Sequence, residues 1–173
     1  MSNTVATSKR PVIYSTLTTL DLYGNNLQGE RVAWDSLSHM ASLRTLILGG
    51  NALWALPRAF AGPFASLKEL DLADASLLTF PVAVLRIGTL VELALSRNYI
   101  RRIPAEISQL TELRVLDISD MPTLTVLPDT LRDLGRLQRV VITRYDTDQD
   151  AQFVASNYSV LRFLRMTQLL VEL

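Results

Sequence analysis

The sequence predicts a solenoid of the α/β class, in which short strands alternate with short helices and turns. One aliphatic pattern begins six times, with 23 to 26 residues between successive starts, and self-similarity at such a period is typical of stacked repeats. Inside each copy the apolar residues alternate with period two, which predicts a short strand with one buried face. A proline follows the later strands and suits the first turn of a short helix. The six copies begin at Leu17, Leu43, Leu67, Leu90, Leu113 and Leu137.

The clearest copy spans residues 90–104. Leu90, Leu93 and Leu95 occupy its first, fourth and sixth slots, and Asn98 follows where the chain must leave the strand. An asparagine amide can both donate to and accept from the backbone of a turn, which an aliphatic side chain cannot do. This copy therefore predicts a strand, a hydrogen-bonded turn and, after Pro104, a short helix that lays Ile107 inward.

The spelling L-x-x-L-x-L-x-x-N-x-L resembles the leucine-rich repeat family over roughly residues 12–145, with aliphatic first, fourth and sixth slots in all six copies. The copies with Pro57, Pro81, Pro104 and Pro128 resemble its intracellular, Ras-group-related subtype of 23–24 residues. They are also similar to the repeat domains of plant-pathogen bacterial effectors. The resemblance implies a leucine-rich repeat solenoid, with a curved parallel β-sheet on the concave side and short helices and turns on the convex side.

Only three of the six copies have an asparagine at the position that follows the strand. Asn25, Asn51 and Asn98 match the family pattern, whereas the remaining copies place Ala75, Met121 and Tyr145 there. We expect those turns to satisfy their backbone groups in another way. The copy that contains Met121 is also one residue longer before its next aliphatic slot.

The repeats divide the chain into three parts. Residues 1–10 are polar and predict a flexible N-terminus, and residues 11–145 hold the six repeats, with a short strand over Pro11–Tyr14 covering the first coil. Residues 146–173 form a C-terminal cap or a degenerate seventh repeat. The spacing of Leu161, Leu164, Met166 and Leu169 favours a seventh coil, whereas Phe153, Leu161, Leu164 and Gln168 also suit a capping helix.

The amino-acid composition restricts the class of partner and the cellular compartment. Lys plus Arg and Asp plus Glu both number 17, so the formal net charge of zero gives no support for a nucleic-acid partner. The absence of cysteine excludes disulfides and thiolate metal sites. No apolar run reaches the ~18 residues of a membrane span, and the first ten residues contain no apolar segment of a secretory leader. We expect a cytoplasmic protein, or one in the host cytosol if it is a bacterial effector; oligomeric state is not predicted.

The residue types that carry catalysis do not assemble into a pattern. His39 is the one histidine, and the repeat geometry brings no nucleophile to it. Gly49-Gly50-Asn51 lacks the lysine, the Ser or Thr and the further glycine of a phosphate-binding loop. Asn157-Tyr158-Ser159 matches the acceptor motif for N-glycosylation, and we interpret this match as coincidental. We therefore expect no catalytic residues, no metal and no cofactor.

The informative residues are those on either side of the buried strand leucines, because side chains alternate along a strand and these positions face the concave side. Acidic residues occupy its middle, and arginines make its C-terminal end basic, a pattern that fits a partner protein with a basic segment; a merely soluble face is the alternative. The candidate residues on this face are Tyr23, Ile47, Glu69, Asp71, Asp74, Glu92, Arg97, Asp117, Asp120, Arg139 and Arg144.

A second candidate surface is an edge of the solenoid. Trp54 and Leu78 occupy equivalent slots of adjacent copies, outside the core pattern, and Arg101 comes next in line. Tryptophan is favoured where binding energy concentrates, so the pair are candidate anchors; packing within the loop is the alternative.

The resemblance implies a non-enzymatic module that binds a protein partner through its concave face. The alternative is the substrate-targeting repeat domain of a larger enzyme, such as a bacterial effector ubiquitin ligase. Regulation of a phosphatase or a small GTPase is a third and weaker implication of the Ras-group likeness.

Overall fold

The computed structural model describes residues 16–32, 34–57, 60, 64–143 and 148–169. The N-terminus (residues 1–10), which was predicted to be flexible, the predicted strand over Pro11–Tyr14 and Arg144 all lie outside these residues. Six strands of three residues each recur at the repeat spacing. They are β1 (Thr19–Asp21), β2 (Thr45–Ile47), β3 (Glu69–Asp71), β4 (Glu92–Ala94), β5 (Val115–Asp117) and β6 (Arg139–Val141).

The strands form one parallel sheet in chain order, which confirms the predicted fold class. Their register aligns the fourth slots directly, so that Leu46 pairs with Leu70 and Leu70 with Leu93. Backbone bonds continue the ladder past the strand ends, as from Leu48 N to Asp71 O (2.8 Å) and from Asp74 N to Ser96 O (2.9 Å). Each coil is therefore joined to the next both within its strand and in the turn that follows.

The core is the stack of aliphatic slots. In copies two to six the first, fourth and sixth slots are all buried, as the alignment predicts. The corresponding Leu17, Leu20 and Leu22 of the first copy are only partly buried. A terminal coil contacts one neighbour where an inner coil contacts two, and β1 has one strand neighbour among the described residues.

The return segments contain the predicted short helices. An α-helix, α1, spans Trp34–Ser38. Single 3₁₀ turns span Gly29–Arg31, Val82–Arg86, Ala105–Gln109 and Asp129–Asp133, and the last three begin directly after a proline. A 3₁₀ turn is tighter than an α-turn and fits a return of a few residues. Ile107 is buried as predicted, and so are the residues at the corresponding inward positions of the other returns, Phe60, Val84 and Leu131.

The C-terminal region corrects the expectation of a seventh coil. It forms two α-helices, α2 (Asp148–Ser156) and α3 (Tyr158–Met166). A seventh coil would bury Met166, but that side chain is 73% exposed, whereas Leu161 and Leu164 are buried. Both arrangements place these two leucines inward, which is why the spacing misled. The chain after α3 then returns to the sheet, where Val140 N donates to Leu169 O at 2.6 Å.

We predict that Leu93→Ala, in the central coil, lowers the free energy of unfolding by ~2–5 kcal/mol, because it removes contacts and leaves a cavity in a fully packed stack. Arg86→Ala, on an exposed return, should change it by less than about 0.5 kcal/mol. Urea denaturation of both variants measures the difference. Equal effects would show that the assignment of core slots is incorrect.

Candidate functional site

Two rows of side chains lie in register across the open face of the sheet. The five strand pairings align positions on either side of the buried fourth slot, and alternation along each strand turns both rows away from the core. We call these two rows the strand face. The first row is Thr19, Thr45, Glu69, Glu92, Val115 and Arg139; the second is Asp21, Ile47, Asp71, Ala94, Asp117 and Val141.

The strand face encloses an open depression of about 330 Å³. Its walls combine acidic and apolar groups: Glu69, Asp71, Glu92 and Asp117 lie beside the half-buried Ile47, Ala94, Val115 and Val141, and Arg139 lies at the β6 end. The structure therefore brings together the six predicted site residues that belong to the two rows. It places Tyr23, Asp74, Arg97 and Asp120 in the turns that follow.

Three carboxylates of the second row are held by the backbone. The Oδ1 atoms of Asp21, Asp71 and Asp117 each accept the N–H of the residue two positions on, at 2.9, 2.7 and 2.9 Å. This bond ends the strand and fixes the carboxylate against the turn. The Ser119 hydroxyl also donates to Asp117, at 2.6 Å. The recurrence of aspartate at one repeat slot was the sequence feature that could have revealed this structural role.

The environment disfavours the charge on Asp71. Burial raises the pKa of its carboxyl above the ordinary value, the Ala73 N–H opposes this, and the negative charges of Asp117 and Asp21 raise the pKa further. Strands two apart in a sheet are ~9–10 Å apart, about one Debye length at physiological salt. The three carboxylates thus act on one another, and their field adds along the row.

The turn after each of the strands β1 to β5 contains a residue in the left-handed region. Asp74, Arg97 and Asp120 have φ of 52°, 57° and 52°, at the slot where the first two copies have Gly24 and Gly50. Arg97 Nε lies 3.6 Å from Asp120 Oδ2, so these two predicted partner-binding residues pair with each other. Asp120 Oδ1 is buried without a hydrogen bond. The pair therefore belongs to the turn rather than offering two free charges.

Tyr23 lies across the glycine pair of the next coil. A Cβ on Gly50 would meet Tyr23 Cζ at 2.9 Å, and one on Gly49 would meet Tyr23 Cδ2 at 3.3 Å. The two glycines thus form the surface under this ring, which gives them a structural role. Tyr23 remains 55% exposed at the N-terminal end of the strand face.

Buried asparagines fasten the turns of neighbouring coils. Asn98 Oδ1 accepts from Leu77 N at 2.9 Å, and its Nδ2 donates to Leu72 O at 2.8 Å. Asn51 makes the equivalent bonds one coil boundary earlier. Asn25, by contrast, is exposed, and its side-chain amide donates to Tyr23 O within its own turn. Ala75 and Met121, which replace the asparagine, are buried as apolar filling.

Asn157 supplies a further asparagine of this kind from outside the repeats. It lies between α2 and α3, is 2% exposed, and its Oδ1 accepts from Leu127 N at 2.6 Å. Its Nδ2 donates to Thr125 O at 2.9 Å and to Phe153 O at 2.8 Å. The sequence analysis did not identify this role. Because the amide is buried and hydrogen-bonded, it is not accessible for glycosylation in the folded chain.

The second candidate surface is an exposed edge. Trp54 and Leu78 are 58% and 52% exposed, and Leu78 N donates to Trp54 O at 3.4 Å, so the two residues are neighbours. The structure adds Tyr99, 52% exposed, which the aliphatic pattern did not single out. The alternative that Trp54 packs within its loop is not what the structure shows.

The described residues can also be compared with the requirements of a metal site and of a membrane span. Among them, no group of three or more His, Asp or Glu side chains is placed to hold a metal ion. No described helix is long and apolar enough to cross a membrane. The strand face presents charged and apolar side chains on an open surface.

The comparisons with known proteins agree with this architecture. A family model described as Leucine Rich Repeat matches residues 16–39. Adenylate cyclase of Podospora anserina is 34% identical over 106 residues, which are 61% of this chain and 5% of that protein. The solved structure "Plant peptide hormone receptor RGFR1 in complex with RGF2" aligns with a TM-score of 0.59 and 26% identity, over 76% of this chain and 22% of the receptor chain.

This chain has the leucine-rich repeat fold. Such repeats generally mediate protein–protein interactions and are typically non-catalytic, and the receptor that it resembles is itself bound to a partner. The chain spans a small part of both proteins, so the activity in the name of the cyclase is not transferred to it.

We predict that Asn157→Ala destabilises the chain by about 1–3 kcal/mol for each buried backbone group that loses its partner, chiefly Leu127 N–H. Asn25→Ala is the matched control, because the same amide is removed from an exposed turn, and should cost less than about 0.5 kcal/mol. Chemical denaturation followed by far-UV circular dichroism measures both. A cost no larger for Asn157 than for Asn25 would contradict the role given to the amide.

Proposed function

We propose that this chain is a protein-binding module whose partner docks on the strand face through a basic segment. The observation that supports it most directly is the register of the two rows, which aligns Glu69, Glu92, Asp71 and Asp117 around half-buried apolar side chains. A rigid sheet holds these groups in place before the partner arrives, so little ordering cost is paid on binding.

The charge of the face varies along the solenoid. Carboxylates occupy β3 to β5, whereas Arg139 stands exposed on β6. A partner segment would complement the charge at both ends of the face if its basic residues lay over β3–β5 and its acidic residue lay over β6. In the reverse orientation, like charges would face each other. The gradient therefore selects the direction in which a segment lies. Ile47 and Val141 supply apolar contact that slows dissociation.

The spacing of the second row suggests the conformation of such a segment. Asp21, Asp71 and Asp117 alternate with Ile47, Ala94 and Val141, so successive aspartates lie two strands apart, ~9–10 Å. A polyproline II helix repeats every three residues at ~3.1 Å each, which gives ~9 Å. A segment with lysine or arginine at every third position would present one cation to each aspartate and its intervening residues to the apolar members.

We expect the double variant Asp71→Asn with Asp117→Asn to lose partners that the unchanged chain captures from a cell extract. Asparagine keeps an acceptor for the Ala73 and Ser119 N–H groups, so the turns remain bonded while the charge is removed. With a captured protein in purified form, the association rate should fall about tenfold at low salt and depend less on salt. Affinity capture with mass spectrometry, followed by surface plasmon resonance, measures both effects.

The control for this experiment removes the same charge from the convex side. Glu106 and Asp133 are exposed on return segments, and Glu106→Gln with Asp133→Asn should leave capture and rates unchanged. If both double variants behave like the unchanged chain, the strand face is not the acidic docking surface that we propose.

The spacing makes a separate prediction with synthetic peptides. A peptide of three Lys-Pro-Pro units should bind several-fold more tightly than a peptide of the same composition with its three lysines consecutive, since only the first matches the aspartate period. The Asp71→Asn, Asp117→Asn variant should bind the two peptides equally. Fluorescence anisotropy at fixed ionic strength compares them; equal binding by the unchanged chain would contradict the periodic match.

The repeat subtype and the cellular location also belong to this proposal. Pro57, Pro81, Pro104 and Pro128 support the Ras-group-related subtype, and the absence of cysteine is compatible with a cytoplasmic location. The second candidate function is a targeting segment within a larger enzyme. It is favoured by the match to 5% of a protein that bears an enzyme's name.

A further inference from the structure

Four large apolar side chains line one edge of the solenoid, in the turns between the asparagine slot and the next return. Trp54, Leu78, Tyr99 and Val126 come from four consecutive coils and are each between 42% and 58% exposed. We call them, together with Arg101, the turn edge. Trp54 and Leu78 are hydrogen-bonded neighbours, and Leu78 and Tyr99 line one cavity, so these three form a contiguous apolar patch. Such patches mark interaction surfaces more often than single exposed leucines do.

The backbone shows that these residues are neighbours. Leu78 N donates to Trp54 O, Tyr99 N to Leu77 O at 2.9 Å, and Thr125 N to Arg101 O at 3.1 Å. Val126 pairs with Arg102 in a parallel bridge. Trp54, Leu78 and Tyr99 thus lie on adjacent coils close to one another, and Val126 lies beside Arg102 at the end of the edge. Three coil-to-coil steps extend the edge over ~14 Å.

The centre of the turn edge is a depression. Leu78, Thr79, Tyr99, Arg101 and Thr123 line an open cavity of about 490 Å³. The guanidinium of Arg101 makes no hydrogen bond or ion pair with the described residues. An unpaired arginine that lines the same depression as an aliphatic and an aromatic side chain is suited to a carboxylate, which it can bind through two parallel hydrogen bonds.

We propose that the turn edge is a second docking surface, which takes an extended segment of another protein that carries apolar side chains next to an aspartate or glutamate. The carboxylate pairs with Arg101, and the apolar side chains lie on Leu78, Tyr99 and Trp54. At ~3.3 Å per residue, about four residues span the edge. This surface is independent of the strand face, since it lies on the turns and its charge has the opposite sign.

The size of the edge argues for a short segment rather than a second copy of this chain. Four half-exposed side chains of this kind offer roughly 400 Å², given that aromatic side chains bury about 150–250 Å² each. A stable dimer interface usually needs about 800 Å² from each partner. Short linear segments bind through smaller surfaces, where one or two anchors supply most of the binding energy.

The test uses the whole chain and a phage-displayed library of random seven-residue peptides. Peptides retained by the unchanged chain, after depletion on the Leu78→Ser variant, should be enriched in an acidic residue beside an apolar one. Synthetic copies should bind Arg101→Glu about tenfold or more weakly. Arg86→Glu, the same charge change on an exposed return, should leave their affinity unchanged. Circular dichroism and the unfolding midpoint of each variant verify that the fold is retained.

Three outcomes would overturn this proposal. The first is a library from which nothing is enriched, or from which enriched peptides show no bias toward acidic residues. The second is binding that survives Arg101→Glu but is lost in the Asp71→Asn, Asp117→Asn variant, which would place the peptide on the strand face. The third is a dimer in sedimentation equilibrium that Leu78→Ser dissociates, which would make the edge a contact between copies. These three outcomes can still be measured and interpreted if the strand-face experiments give a negative result.

Discussion

The rest of this structure depends on the parallel pairing of each three-residue strand with its neighbours. A coil of about two dozen residues has too few apolar contacts to fold alone, because the entropy lost on ordering its backbone exceeds what its own burial returns. Pairing changes this balance. It stacks Leu46, Leu70, Leu93 and Leu116 directly over one another, so that each coil buries its aliphatic slots between the coils on either side. The same register then determines every other position on the surface.

The turns pose the second constraint, since the chain leaves each strand within two or three residues and its backbone groups become buried there. Asn51 and Asn98 satisfy those groups across a coil boundary with one side chain each. Where the repeat has Ala75, Leu53 N instead donates to Ala75 O at 3.1 Å. At the C-terminal end the amide comes from Asn157, between two helices that are not part of the repeat. The cap is therefore joined to the solenoid by the chemistry that joins the coils.

The two candidate binding surfaces follow from these constraints and differ in character. On the strand face the aspartates serve both the fold and the surface, because one oxygen ends the strand while the charge remains directed to the open side. Burial and neighbouring carboxylates raise the pKa of Asp71, so a cation on this face would relieve an unfavourable field as well as gain contacts. The turn edge has no such double role. Its side chains lie outside the core, and Trp54 is held with a φ of 61°.

The sequence by itself determined the period, the strand slots, the inward residues of the returns and the rows of the strand face. These depend on local alternation and on a spacing repeated six times, which together permit one register. Only the tertiary structure decided the C-terminal cap, because Leu161 and Leu164 point inward in a coil and in a helix alike. It alone paired Arg97 with Asp120, placed Tyr23 over the glycines of the next coil and gave Asn157 its partners more than two dozen residues away. Such contacts join residues whose spacing carries no periodic pattern, so they arise only when the coils are stacked.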